Sequence, residues 1–284
     1  MLASEAIQAV KDYCNNIDQF TGKPIDDATT RDQVLYGNVG QECTGVVTCI
    51  WATADVIRQA QELGASLIIS HEALFWNHGD HLDTFAGTST FEAKRALLDE
   101  WGGAVWRCHD YIHAGVPLGA DGVYEDGIFH GLADTLGWLD YRSDATNMLF
   151  EIPPVPAHEL ASYVVEKVGL SGTRLIGDAD ATVSKVQVPM HIMGNPMMDN
   201  EEIKLLDSDK VDCILAMEFI DFTVSEYIRD AAQLGRGKCA IHGGHFNLEE
   251  PGMKYMVRWL PAALGTDDIP VTFLPKGDTY RYIV

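Results

Sequence analysis

The alternation of helical segments with short apolar runs is the feature that most constrains how this chain folds. Thr53 can cap a helix whose apolar positions fall on one face, and Gly64 is a natural helix end. The apolar run at residues 66–70 follows and predicts a buried strand. The same order repeats as a helix over 90–101 and a strand over 104–108. Helices that alternate with strands predict an α/β fold with a parallel or mixed sheet covered by helices.

The C-terminal half contains a second set of such elements. Pro153, Pro154 and Pro156 punctuate the middle of the chain and suggest a seam between two lobes. We therefore predict two α/β lobes, residues 1–150 and 151–284. The elements predicted in the second lobe are helices at 157–168, 224–234 and about 252–264, and strands at 182–188, 211–217, 238–241, 271–274 and 280–284.

The charge of the chain excludes some classes of partner. With 20 Lys and Arg against 42 Asp and Glu, the formal net charge is −22. A nucleic-acid-binding surface must be basic, so we expect no nucleic-acid partner. For the same reason we expect no anionic membrane surface as a partner. The acidity is typical of a well-solvated surface, and it would also attract cations.

Cysteine usage and hydropathy bear on the compartment. None of the six cysteines forms a Cys-x-x-Cys pair, which is typical of free thiols in a reducing compartment. The N-terminus has no basic region followed by an apolar stretch, and no apolar run approaches the roughly 18 residues that span a bilayer. We expect a cytoplasmic protein.

Histidines and carboxylates follow the carboxyl ends of three predicted strands. Ligands bind at this edge in open α/β sheets, so three such loops can converge although they are distant in sequence. Imidazoles and carboxylates without thiolates suit Zn²⁺, Mn²⁺ or Fe²⁺. The three clusters are His71-Glu72, His109-Asp110-x-x-His113 and His245-x-x-x-Glu249.

Each cluster also has a purely structural interpretation. His71 can be a hydrogen-bonded histidine at a strand end, and His109 and His113 can be an unrelated helical pair. Glu249, just before Pro251, can complement the dipole of a helix that starts there. A surface or core role is expected for His191, which lies just after a predicted strand.

Four segments, in order, resemble motifs of the Nif-three-like proteins, which are often called GTP cyclohydrolase I type 2 homologues. Residues 66–72 are similar to the family's strand ending in His-His-Pro, and residues 109–113 stand where the family has His-Thr-Asn-Leu-Asp. Residues 127–138 resemble the following segment that ends in Leu-Ala-x-x-Leu-Gly. Residues 244–249 match the C-terminal Gly-His-Tyr-x-x-Glu motif, the most specific of the four. The resemblance extends from about residue 40 to the C-terminus.

This resemblance implies a fold, a metal site and an assembly. The fold is two α/β lobes with mixed sheets covered by helices, and the site is a pair of divalent ions (Zn, Fe or Mn) in the cleft between the lobes. The assembly is a homohexamer. Glu72 replaces the family's second histidine and His113 replaces its aspartate, so the ligand count is preserved. The implied metal ligands are His71, Glu72 and His113 from the first lobe, and His245 and Glu249 from the second.

The function that follows is metal-dependent hydrolysis of an unknown small molecule by metal-activated water, with Glu72 or Asp110 moving protons. The family label points to GTP ring opening, although the sequence contains no P-loop or other Gly-rich phosphate cradle. The alternative is a non-catalytic protein that handles metal or regulates assembly. A metal-dependent amidohydrolase barrel is disfavoured because no His-x-His pair lies on an early strand.

Glu249 is the ligand we expect to bridge the two ions. A carboxylate has two oxygens and can bind two cations, whereas one imidazole nitrogen cannot. Glu249 lies four residues after His245, so both side chains project from the same side of a helix. Glu72 is the competing bridge, but it directly follows His71, and neighbouring residues after a strand tend to point apart.

Overall fold

The computed structural model of the chain describes residues 1–19, 21–77, 81–144, 148–188 and 191–283. The chain divides into unit 1, Met1–Gly131 with Gly252–Gly277, and unit 2, Leu132–Pro251 with Asp278–Val284. The predicted boundary is a single cut between residues 150 and 151. The observed division comes earlier, and the chain returns to unit 1 for a C-terminal segment.

Unit 1 is built on a mixed five-stranded sheet. The strands of unit 1, numbered in chain order, are β1 (Val34–Tyr36), β2 (Val46–Cys49), β3 (Leu67–Ser70), β4 (Ala104–Arg107), β13 (Val271–Phe273) and a separate hairpin of β5 (Val116–Pro117) and β6 (Tyr124–Glu125). The order of the sheet is β1-β4-β3-β2-β13, with β1 antiparallel to β4 and the other neighbours parallel.

Helices cover this sheet because their apolar positions recur at helical spacing. Val56 and Ile57 of the second helix and Leu98 of the third are fully buried against Val47 and Ile68 of the strands. The predicted cap is confirmed, since the Thr53 hydroxyl accepts the Val56 N–H at 3.1 Å. The helices that lie in or begin in unit 1 are α1 (Ala3–Tyr13), α2 (Ala54–Glu62), α3 (Ser89–Trp101), α4 (Asp110–Ala114) and α5 (Gly127–Thr135), with a 3-10 turn at Ala120–Gly122.

Unit 2 is built on a mixed six-stranded sheet. The strands are β7 (Arg142–Asp144), β8 (Leu149–Pro156), β9 (Leu175–Gly177), β10 (Thr182–Gln187), β11 (Cys213–Ala216) and β12 (Cys239–His242). Their order in the sheet is β7-β8-β10-β11-β12-β9, and β11 is parallel to both of its neighbours, β10 and β12. The helices are α6 (Ala157–Val168), α7 (Pro196–Asp207), α8 (Val224–Gln233) and α9 (His245–Leu264), with a 3-10 turn at Leu139–Tyr141. From Gly252 onward α9 belongs to unit 1.

The carboxyl ends of the central strands are in register in each sheet. In unit 1, Ser70 pairs with Cys49 on one side and with Arg107 on the other. In unit 2, Ala216 pairs with His242. Loops that leave such aligned strands start at the same edge, so the residues that follow them are brought together.

Three elements differ from the prediction. The prolines at 153, 154 and 156 lie within β8. Pro153 and Pro154 lie where the register with β10 shifts, and a register irregularity is where a strand tolerates proline, while Pro156 is the last residue of the strand. Helix α9 starts at His245 and contains Pro251, so Glu249 lies within the helix and not at its start. Residues 280–283 form no strand.

The described residues contain no helix that is both long enough and apolar enough to cross a membrane.

Candidate metal centre

Three histidines of unit 1 lie together at the carboxyl edge of its sheet. His71 directly follows β3, His109 follows β4, and His113 lies one turn later on α4. The rings of His71 and His109 stack with centroids 4.6 Å apart, and the His113 ring lies 5.0 Å from His71 and 4.8 Å from His109. Each offers one ring nitrogen, and these atoms all lie within 4.8 Å of one another. The three imidazoles could therefore hold one divalent ion.

Each of the three rings has its Nδ1 atom on a different acceptor. The Nδ1 atom of His71 lies 3.0 Å from the Cys108 carbonyl oxygen, which can only accept, so Nδ1 carries the proton. His109 Nδ1 lies 3.0 Å from Asp110, and His113 Nδ1 lies 2.8 Å from Asp126. Coordination would therefore use Nε2 in all three rings. Metal-binding histidines in proteins are oriented by such partners on the other nitrogen.

Burial keeps two of these rings neutral. It lowers the pKa of His71 well below the usual range, and the neighbouring His109 and His113 lower it further. Burial also lowers the pKa of His109 to about 3, although Asp110 acts in the opposite direction. At neutral pH both imidazoles therefore present a lone pair, as a metal ligand must.

Glu72 is held by an arginine. Its Oε2 atom accepts from Arg107 Nη2 at 2.8 Å, and both side chains are buried. Arg107 Nε also donates to the His71 carbonyl at 3.1 Å. Arg107 thus fixes the backbone and the carboxylate of the His71-Glu72 pair together, which orients Glu72 but neutralises part of its charge.

Asp110, predicted to move protons, anchors the loop that carries His109. Its oxygens accept from the Thr30 hydroxyl at 2.8 Å and from the Arg31 backbone N–H at 2.9 Å. Burial acts to raise the pKa of Asp110, but hydrogen bonds from His109, Arg31 and Thr30 outweigh it and lower the pKa below its usual range. These contacts favour a positioning role for Asp110 over proton transfer.

Asp32 is a buried carboxylate that organises the start of α4. It accepts the backbone N–H groups of His109 and Asp110 at 2.7 Å each, and that of Tyr111 at 2.9 Å. Burial raises the pKa of Asp32 to about 6, although these three hydrogen bonds act to lower it. Asp32 therefore sets where the His109 backbone lies.

A second cluster lies within unit 2. Glu218 follows β11, and its two carboxylate oxygens face two imidazoles: Oε1 lies 2.6 Å from His245 Nδ1, and Oε2 lies 2.8 Å from His191 Nδ1. The two rings are 5.0 Å apart. The Nε2 atom of His245 lies 3.2 Å from Glu249 on the next turn of α9. His245 and Glu249 therefore meet on one side of a helix, as predicted.

The charges of the unit 2 cluster favour a protonated His245. Burial lowers the pKa of His245, but its hydrogen bonds to Glu218 and Glu249 outweigh burial and raise it to about 10. Burial likewise acts to raise the pKa of Glu218, but the two histidines lower it to about 2. Carboxylates only accept, so both nitrogens of His245 carry protons that an ion would have to displace.

Comparisons with known proteins show which proteins this chain resembles. The sequence model of a family described as Duf34/NIF3 (NGG1p interacting factor 3) matches residues 9–96. The GTP cyclohydrolase 1 type 2 homolog of Clostridium acetobutylicum is 23% identical over 268 residues, which cover 90% of each chain. A hypothetical protein of Staphylococcus aureus matches at a TM-score of 0.68 and 15% identity, covering 100% of this chain and 99% of that one. A Bacillus cereus protein related to NIF3 also matches at 0.68, with 12% identity and the same coverage, 100% and 99%.

The resemblance to the Nif-three-like family is confirmed. The solved structures also confirm the α/β fold that the family implies. At identities of 15% and 12% they show the fold alone. The Nif-three-like ligand set therefore rests on the residues of this chain.

The structure places the predicted ligands in two groups. His71, Glu72 and His113 lie in unit 1, and His245 and Glu249 lie in unit 2. One centre that draws ligands from both units, as the Nif-three-like resemblance implies, stays a prediction.

Sequence reasoning missed three side chains of the clusters. His109 belongs to a noted motif but is absent from the predicted ligand set, and His191 was expected to have a surface or core role. Glu218 follows β11 as His71 follows β3, so the strand-end rule that found His71 could have found Glu218 as well.

Proposed function

We propose that this chain binds divalent metal ions and hydrolyses a small molecule with metal-activated water. The observation that carries the proposal is the convergence of His71, His109 and His113, each with its Nδ1 atom on a separate acceptor. Three imidazoles are a ligand set that divalent Zn, Fe or Mn accepts, and such a set leaves a position for water.

The residues of this chain would hold and orient the reacting groups. A bound divalent ion supplies the acidity that brings the pKa of a water molecule towards neutrality. Arg107 fixes Glu72 beside His71, so that carboxylate is in place to orient a water molecule or to accept its proton. Asp32 and Asp110 keep the His109 loop in position.

The five-residue ligand set from the sequence, with two ions per chain, is part of the proposal. Support comes from the contact between His245 and Glu249 within unit 2 and from the packing of His71 against His113 within unit 1. The name of the Clostridium acetobutylicum relative makes GTP the first substrate to test.

A homohexamer is proposed on the resemblance alone. Light scattering at micromolar concentration should give about six times the mass of one chain, and a monomer would contradict it.

Metal content and turnover together test the function. Protein purified with added Zn²⁺, Mn²⁺ or Fe²⁺ should hold about two ions per chain by elemental analysis, and should hydrolyse GTP or another member of a substrate panel. His109→Ala should lose both the unit 1 ion and turnover. His81→Ala, which changes an exposed histidine of the same unit, should lose neither.

Three outcomes of this experiment differ in meaning. Wild-type protein without ions would refute the proposal as a whole. Bound ions without turnover on any substrate would favour the alternative, a non-catalytic metal-handling protein. Loss of ions in the His81 variant would show that the ligands are not those named here.

A further inference from the structure

We infer that unit 2 contains a divalent-cation site of its own, formed by His191, Glu218 and His245. The inference rests on the proposed metal-binding function and deepens it. It gives the unit 2 ion His191 and Glu218 as ligands beside His245, where the ligand set taken from the sequence has Glu249.

The geometry of the three side chains is that of a small chelating cluster. Glu218 lies between the two imidazoles, with one oxygen 2.6 Å from His245 Nδ1 and the other 2.8 Å from His191 Nδ1. One ligand atom from each of the three residues lies within 4.8 Å of those of the other two. A small outward movement of the imidazoles would let an ion replace the protons that now join them to Glu218.

The backbone holds these side chains at one edge of the unit 2 sheet. Glu218 and His245 follow two parallel strands whose ends are in register, and His191 follows the third parallel strand. An isolated bridge pairs Ile192 with Phe219, so the loop after His191 and the loop after Glu218 run side by side. All of these residues belong to unit 2, and the cluster does not need a ligand from unit 1.

The chemistry of the donors names the class of ion. Two imidazoles and one carboxylate without a thiolate suit Zn²⁺, Mn²⁺ or Fe²⁺ and leave at least one position for water or substrate. The side chains of His191, Glu218 and His245 are 29%, 27% and 24% exposed, so an ion from solvent can reach them. Glu249, on the Nε2 side of His245, is only 4% exposed. Exposure therefore favours entry on the Glu218 side of the ring.

The test removes two histidines of the unit 1 cluster and measures the metal binding that remains. Full-length His71→Ala/His109→Ala protein is titrated with Co²⁺, and binding is measured by calorimetry and by the visible absorption of the bound ion. We expect about one ion per chain to remain. Adding His191→Ala to this variant should lower the affinity for that ion at least about tenfold. Even the loss of a residue that only orients a ligand lowers metal affinity by about that factor. Adding His158→Ala, an exposed histidine of the same unit, should not.

Copper provides a measurement that does not depend on a further substitution. In the His71→Ala/His109→Ala protein, the electron paramagnetic resonance spectrum of one bound Cu²⁺ should show two nitrogen ligands. A single nitrogen would place the ion on the Glu249 side of His245 and overturn the inference.

The other outcomes separate this inference from the proposed function. If the wild type binds ions but the double variant binds none, unit 2 has no site of its own while the proposed function stands. Equal affinity with and without His191 also overturns the inference. If the wild type binds no ion, both proposals fail.

Discussion

The two clusters use the same residue types in opposite ways. In unit 1 the Nδ1 atom of each imidazole hydrogen-bonds to a separate acceptor, and burial keeps His71 and His109 neutral. In unit 2 two imidazoles share the single carboxylate of Glu218, and His245 lies between two carboxylates that favour its protonated form. Residue type alone does not make a metal site. The partner of the second ring nitrogen decides whether the first is ready for an ion.

Removing an oriented ligand of unit 1 should weaken metal binding strongly. His109→Ala should lower the affinity for the unit 1 ion by more than about 100-fold. Losing a ligand should lower the affinity more than losing a residue that only orients the ligand. Calorimetric titration with Zn²⁺ measures this directly, with His81→Ala as the control. An unchanged affinity would show that the convergence of the three rings does not serve a metal.

The response to pH should separate the two clusters. Because the pKa of His245 is raised to about 10, an ion that coordinates this ring near neutral pH must release a proton. Its apparent affinity should fall about tenfold for each unit that the pH drops from 8 to 6. His109, with a pKa of about 3, and His71, with a pKa well below its usual range, release no proton in this window.

The affinity of the unit 1 ion should therefore fall less steeply than that of the unit 2 ion over the same window, because His71 and His109, two of its three ligands, release no proton there. The two slopes are obtained from the His71→Ala/His109→Ala and His191→Ala/His245→Ala proteins, each of which keeps one cluster. Equal slopes would show that the two clusters release the same number of protons when they bind an ion, which would contradict the difference in protonation described here.

Glu249 and Glu72 provide a test of the predicted bridge. If Glu249 bridges, Glu249→Gln should lower the affinity for both ions by at least about tenfold, since it removes a charge that they share. Glu72→Gln should weaken mainly one ion, because Arg107 already neutralises part of that carboxylate. Calorimetry that found one wild-type site in Glu249→Gln and none in Glu72→Gln would assign the bridge to Glu72.

The orientation of the His113 ring should also affect metal binding in unit 1. Asp126 Oδ2 accepts from His113 Nδ1, while its other oxygen accepts the backbone N–H groups of Ile128 and Phe129. In Asp126→Asn the amide oxygen can keep the helix contacts, but the amide nitrogen would face Nδ1 and favour the tautomer with the proton on Nε2. The affinity for the unit 1 ion, measured by calorimetry, should fall about tenfold while the thermal stability of the protein stays unchanged. Loss of stability without loss of affinity would make Asp126 a structural residue only.

Those parts of the fold that depend on local pattern were predictable. The helix that Thr53 caps, the buried strand at β3 and the coupling of His245 to Glu249 all follow from spacing along the chain. The start of α9 was predicted too late because Pro251 normally marks a helix start, yet this helix contains it. Gly252 follows inside the helix, where a Cβ atom would lie 2.4 Å from the Ile128 Cα atom, so this glycine reflects a close approach and not a helix boundary.

The rest of the site depends on contacts that no local pattern encodes. Asp32 lies 77 residues before His109, and no motif joins them, yet it accepts that backbone N–H at 2.7 Å. Glu218 carries no sequence signature beyond its place after a strand. His191 joins the cluster only because β10 and β11 are neighbours in the sheet. Strand order is a property of the folded chain, and a single sequence does not state it.

Anomalous diffraction from crystals grown with Zn²⁺ shows directly whether the three rings of unit 1 hold an ion. We predict a peak at about 2.0–2.1 Å from the Nε2 atoms of His71, His109 and His113, the usual length of a zinc–imidazole bond. The absence of a peak at these three rings in such crystals, or a peak at His81 in its place, would contradict this prediction.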